Sequence, residues 1–236
     1  MQATGQCLSE ATRRSVARPA IHPAPPDALV LLEQFGTTLS VKRDRQIYSQ
    51  GDEAGCCYKI VSGCVRIVNF TKDGCRQIDQ FLMAGDLLGF DALETHDFGS
   101  EAVTNVVLRC FPRRAVDKLA ESNIALTRRL RDMTAISLRK AHARLIQLDR
   151  TSASERVARF LLDMTERLQA SRRTVLDLPM SRSDIADHLG LTVETVCRVL
   201  AQLCREGAIA IDPADRSRIT IRDDMALQQV TSEARH

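Results

Sequence analysis

From Leu39 to Phe111 the chain alternates short apolar runs with polar ones, as in Tyr58-Lys59-Ile60-Val61, Val65-Arg66-Ile67-Val68 and Val103 to Cys110, punctuated by glycines at 51, 55, 63, 74, 85, 89 and 99. Short runs at this spacing predict a small antiparallel barrel or jelly roll. After Pro112 the glycines vanish, and the pattern through Leu148 predicts one long helix. On it Leu126, Leu130 and Met133 form one apolar set and Leu138, Ala141, Leu145 and Leu148 another, with Arg128, Arg129, Arg131, Arg139, Lys140 and Arg144 between them. Such a seam suits a two-stranded coiled coil; the alternative is packing against the chain's own barrel. Polar residues from Asp149 to Ser154 then separate it from a new amphipathic helix over about Glu155–Leu168.

The next segment carries the strongest local pattern. Ser181 is placed to cap a short helix, with Asp184 three residues on as the reciprocal acid. Small Ala186, turn-forming Gly190 and β-branched Val196 follow at spacings of four and six. Alanine lets two helices approach, glycine permits the positive backbone angle of the turn, and valine fills the gap between the helices. With Ile185, Leu189, Leu191, Val199 and Leu200 as core positions, the segment predicts a helix-turn-helix. Thr192 caps the second helix, so Val193 begins it and Glu194, Cys197 and Arg198 share one face. Glutamate accepts from cytosine N4 and arginine donates to guanine O6 and N7, so this face suits a G·C-containing step in a major groove. The same order also suits an i,i+4 surface ion pair. Beyond it, Gly207–Ile211, a turn at Asp212-Pro213-Ala214-Asp215, and Arg216–Ile221 read as a two-stranded wing. Ser181, Arg182, Thr192, Thr195, Arg205, Arg216 and Arg218 are the candidate phosphate contacts.

Charge changes this picture only locally. The net charge of the 236 residues is +3, and from Thr151 onward 12 Arg face 13 Asp or Glu, so DNA binding requires the arginines gathered on one face and the acids turned away. No run approaches the roughly eighteen apolar residues that cross a bilayer, and no secretory leader pattern is present, which predicts a cytoplasmic protein. Eight irregularly spaced cysteines are expected as free thiols. Metalloprotease, phosphate-loop and serine-hydrolase motifs are all missing, and the five histidines are scattered, so no enzyme is expected.

The order of parts resembles the CRP/FNR superfamily from about residue 30. Leu191-Thr192-Val193-Glu194-Thr195-Val196-Cys197-Arg198 is similar to its recognition helix, and Gly85-Asp86-Leu87-Leu88-Gly89-Phe90-Asp91-Ala92 to the barrel motif of its FNR branch. The resemblance implies an α+β chain: a leader over 1–27, a cyclic-nucleotide-binding-like jelly-roll barrel over 28–115, a dimerisation helix over 116–148 and a winged helix-turn-helix over 152–236. It further implies a homodimer on palindromic double-stranded DNA, in contact with RNA polymerase and acting as an activator. Val193 is similar to the FNR and FixK branches, which implies a TTGAT-like half-site. Nucleotide binders of the family hold the phosphate with an Arg-Ser or Arg-Thr pair, where this chain has Gly99-Ser100-Glu101-Ala102. Glu101 would then meet the phosphate in place of a cation. Iron-sulfur members gather N-terminal cysteines, whereas Cys7 stands alone before Cys56, although Cys110 resembles the barrel ligand. The resemblance is therefore FixK-like, with no cofactor expected; the alternative is a ligand-gated or iron-sulfur regulator of the same superfamily, and the remote one a cytosolic thiol enzyme. Cys197 replaces the serine of many such recognition helices, which makes it the redox candidate: oxidation would add bulk and charge beside a phosphate backbone, whereas the alternative is a passive thiol that touches a thymine methyl.

Overall fold

The computed structural model describes residues 27–70, 74, 76–90, 94–148, 151–168 and 175–231. The expected leader lies almost wholly outside them. Helix α1 (Asp27–Glu33) precedes eight strands: β1 (Thr37–Val41), β2 (Gln46–Tyr48), β3 (Cys56–Ser62), β4 (Cys64–Phe70), β5 (Arg76–Met83), β6 (Leu87–Leu88), β7 (Gly99–Ala102) and β8 (Val106–Pro112). They form two antiparallel sheets, β1-β8-β3-β6 and β2-β7-β4-β5. Alternate side chains point inward, so Tyr48, Ile60, Val65, Ile67, Leu82, Leu88, Ala102, Val106 and Leu108 make one buried cluster. Between β3 and β4 the chain reverses at Gly63, whose φ is +92° and where a Cβ would lie 2.4 Å from the Asn105 carbonyl, so only glycine fits.

The helix predicted after Pro112 is broken. Helix α2 (Arg113–Ser122) ends at Asn123, which is extended (φ −129°, ψ 97°), and α3 (Ile124–Leu148) begins beyond it. The Asn123 side chain accepts from the backbone N–H of Leu126 at 3.0 Å and so caps the new helix. The break lets α3 turn its first apolar residue into the protein. Leu126 is fully buried with Leu32, Phe111 and Val116, which corrects its assignment to an intermolecular seam: it has no surface left for a partner. Leu130 packs partly against the same cluster, Met133 is half-buried, Leu138 is 56 % exposed and Ala141 is exposed. The side chains of Leu145 and Leu148 lie outside the described residues. Among those residues no helix is long and apolar enough to cross a membrane.

The C-terminal unit opens with α4 (Ala153–Arg167), capped by a reciprocal Ser152–Glu155 pair. Then come β9 (Val175–Asp177), α5 (Arg182–Leu189), α6 (Val193–Arg205), β10 (Ile209–Ile211), β11 (Arg218–Ile221) and α7 (Asp224–Val230). The wing is a three-stranded sheet, β10-β11-β9, because residues ahead of the helix-turn-helix return to pair with it. Phe160, Leu161, Leu176, Ile185, Val196, Leu200, Leu203 and Ile219 form its core, and Cys64, Val68, Ile78, Phe81 and Val103 of the barrel belong to the same apolar cluster.

Candidate nucleic-acid interface

The helix-turn-helix is fixed at each joint by a named contact. Ser181 Oγ accepts from the Asp184 N–H at 3.1 Å, while Asp184 Oδ2 accepts from the Ser181 N–H at 3.1 Å. Gly190 ends α5 in the left-handed region (φ 64°, ψ 41°), its N–H bonded to the Ala186 carbonyl, and Ala186 is 1 % exposed. Thr192 Oγ1 accepts from the Thr195 N–H at 3.2 Å and opens α6. Val196, Val199, Leu200 and Leu203 are its buried residues. At about 100° per residue the opposite face carries Glu194, Cys197, Arg198, Ala201 and Arg205, all exposed, with Val193 beside them at 39 %. No other described element covers this face. Among the described residues no ion pair joins Glu194 to Arg198, so the surface-pair alternative does not form here. The Glu194 carboxyl is held below its ordinary value by its own backbone N–H and then by the Thr192 hydroxyl.

The structure divides the candidate phosphate contacts. Arg205 and Arg216 are exposed. Arg182 is partly buried and donates to the Arg216 carbonyl at 2.6 Å, which joins α5 to the wing. Burial lowers its pKa from the ordinary guanidinium value, while the nearby thiols of Cys197 and Cys204 act in the opposite direction. Arg218 pairs with Asp177 at 2.8 Å and approaches Asp212 at 4.0 Å. The Ser181 hydroxyl is engaged with Ser183 and Asp184, and the hydroxyls of Thr192 and Thr195 lie 3.0 Å apart. Several of the acids in this unit have other partners. Asp184 and Asp187 bond to barrel arginines, Asp177 to Arg218, and Glu155 and Asp223 cap helices. Sequence reasoning missed those barrel arginines, Arg66 and Arg76, because a contact spanning more than 100 residues leaves no local spacing to read.

The barrel holds an open cavity of about 660 Å³ beside α3, lined among others by Tyr48, Leu82, Phe90, His96, Arg113, Arg129 and Met133. His96 stacks on Tyr48 with centroids 3.6 Å apart. Glu101 does not face it. Its carboxylate bonds to Arg66 at 2.8 Å on the side toward α5, which corrects the expectation that it would meet a bound phosphate; Gly99, Ser100 and Ala102 are the buried residues of that strand. Cys57 and Cys64 are buried, and Cys56 and Cys110 are half-buried on adjacent strands. Burial pushes the Cys64 thiol up to about 12 and the Cys110 thiol up to about 11. Among the described residues no group of three or more His, Cys, Asp or Glu is arranged to hold a metal ion; Cys7 and Cys75 lie outside them.

Comparison with known proteins agrees with this layout. Residues 38–123 match the cyclic nucleotide-binding domain family and residues 155–230 the Crp-like helix-turn-helix domain family. The chain is 38 % identical over 193 residues to the nitrogen fixation regulation protein FixK of Rhizobium meliloti, covering 82 % of each. It is 38 % identical over 201 residues to FixK of Azorhizobium caulinodans, covering 84 % of this chain and 80 % of that one. The solved structure of FixK2 from Bradyrhizobium japonicum superposes with a TM-score of 0.78 at 37 % identity, over 83 % of this chain and 96 % of that one. The chain belongs to the CRP/FNR family, as a FixK-like transcription regulator with a DNA-binding helix-turn-helix and no enzymatic role.

Proposed function

We propose that the protein acts in the cytoplasm as a homodimeric activator that reads a TTGAT-like palindrome and contacts RNA polymerase. Val193, Glu194, Cys197 and Arg198 read the bases, and the candidate phosphate contacts position them. The observation that carries this reading is the uncovered face of α6, where Glu194, Cys197 and Arg198 stand together opposite a buried apolar face. Dimerisation through α3 is supported by its 25 residues, about 37 Å of helix, and by the exposure of Leu138 beyond the part seated on the barrel. The regulator works without cyclic nucleotide or iron-sulfur cluster, and oxidation of Cys197 blocks the groove-facing surface. The purified protein, with nothing added, binds a TTGAT palindrome in a salt-sensitive manner and discriminates against a scrambled duplex.

A second reading is favoured by one observation. The barrel cavity is large enough for a small molecule and lies against α3, so a ligand there would reach the proposed dimer helix. Absence of binding until a small molecule is supplied decides for this ligand-gated form.

A further inference from the structure

The two halves of the chain meet through charged groups. Arg66 of β4 is 8 % exposed and Asp184 of α5 is 4 % exposed. Arg66 donates to Glu101 at 2.8 Å and to Asp184 Oδ1 at 3.2 Å, with Asp44 at 3.6 Å. Arg76 of β5 donates to the same Asp184 oxygen at 2.9 Å and to Asp187 at 2.7 and 2.9 Å. One turn along, His188 Nδ1 lies 3.1 Å from the Ile78 carbonyl, and its ring meets Phe81 and Phe160 edge-on. Residues 184, 187 and 188 are i, i+3 and i+4, a single stripe of α5 facing the β4–β5 hairpin. On α4, Arg167 donates to the Phe81 carbonyl at 2.7 Å.

This contact has a mechanical consequence. Leu126 seats α3 on the barrel, and the hairpin seats α5, so a non-covalent path runs from α3 through the barrel to α5 and on to α6. A buried charge pair is a poor source of stability but a strict one of geometry, because a shifted partner leaves an uncompensated charge. We propose that Arg66 and Arg76 are positioning residues for DNA recognition: by clamping Asp184 and Asp187 to the barrel they set the angle, and so the half-site spacing, at which the two α6 helices of the dimer meet DNA. The inference rests on the dimeric, palindrome-reading function proposed above. Asp184 thereby serves both sides, with one oxygen capping the helix and the other held by the barrel.

The test uses the full-length protein and three duplexes: the palindrome, the palindrome lengthened by two base pairs at its centre, and a single half-site. Wild type, Arg76→Glu, Asp187→Arg and the doubly exchanged Arg76→Asp/Asp187→Arg protein are titrated against each, with melting curves alongside. Arg76→Glu is expected to lose about tenfold or more on the palindrome, where both heads must engage together, and to stay within about twofold of wild type on the half-site. Its preference for the natural spacing flattens, and the exchanged pair recovers part of both affinity and spacing preference, since the bond to residue 187 returns while the carboxylate introduced at position 76 faces Asp184. An Arg76→Glu protein that binds the palindrome as well as or better than wild type overturns the inference. So does one that loses equally on all three duplexes, since that is damage to the reading head itself. Wild type that shows no preference for the palindrome over the half-site overturns the dimeric reading, and this inference with it.

Discussion

The guanidinium of Arg182, the first residue of α5, donates to the backbone carbonyl of Arg216 at 2.6 Å and so ties the helix-turn-helix to its wing. The side chain of Arg216 is left exposed at the wing turn while its carbonyl is held. On the proposed reading this exposed cation contacts phosphate without reading sequence. Arg216→Ala is therefore expected to weaken binding about equally on specific and scrambled duplexes. The slope of log affinity against log salt should shrink by about 1 to 2, for one contact per protomer. Titrations at several salt concentrations measure this.

Thiol reactivity should follow burial. Cys197 is exposed, whereas burial raises the Cys64 thiol to about 12 and the Cys110 thiol to about 11, so neither of these forms appreciable thiolate at neutral pH. Brief alkylation at pH 7.5 followed by peptide mapping should mark Cys197 well ahead of Cys64 and Cys110. Mild peroxide should abolish DNA binding of the wild type and spare Cys197→Ser, because a sulfinate beside the phosphate backbone is repelled.

Two leucines of α3 should behave oppositely. Leu126 is fully buried in its own protomer and Leu138 is 56 % exposed. Leu126→Ala is expected to cost about 2–5 kcal/mol of folding stability. Leu138→Asp should leave the protomer folded and raise the dimer dissociation constant. Chemical denaturation checks the first, and sedimentation equilibrium the second.

The helix-turn-helix was legible because its signals are local: Ser181 with Asp184, Ala186, Gly190 and Thr192 lie within a dozen residues and each has a steric or capping duty. The barrel was legible from short runs between glycines. The helix break at Asn123 was missed although an asparagine cap was there to read, because the apolar pattern continues through it. Strand β9 was missed because three residues give too short a pattern. Leu126 illustrates the deeper limit: helical spacing says which side of α3 is apolar, and only tertiary contact says whether the barrel or a partner covers it. The Arg66 and Arg76 contacts with α5, like the turn of Glu101 away from the cavity, depend on that same long-range packing.

Acid should act on the N-terminal helix. The hydrogen bond from Lys59 at 2.8 Å, followed by Arg109, holds the Glu33 carboxyl below its ordinary value of 4.5. A carboxyl with a lowered folded-state pKa stabilises the protein above its unfolded value, and that contribution is lost as pH falls through the folded one. Both partners are about one-third exposed, so the contribution is below about 1 kcal/mol. Melting curves of wild type and Glu33→Gln should differ most near pH 6 and converge toward pH 3.

Base reading by Arg198 on the exposed face of α6 is open to a two-by-two binding experiment. Wild type and Arg198→Ala are each titrated against the TTGAT palindrome and against one with the G·C pair of both half-sites replaced by A·T. Wild type is expected to lose about 1–3 kcal/mol per half-site on the altered duplex, while Arg198→Ala binds the two duplexes alike. Equal losses in both proteins would contradict base reading by Arg198, because the base would then be read by some other group.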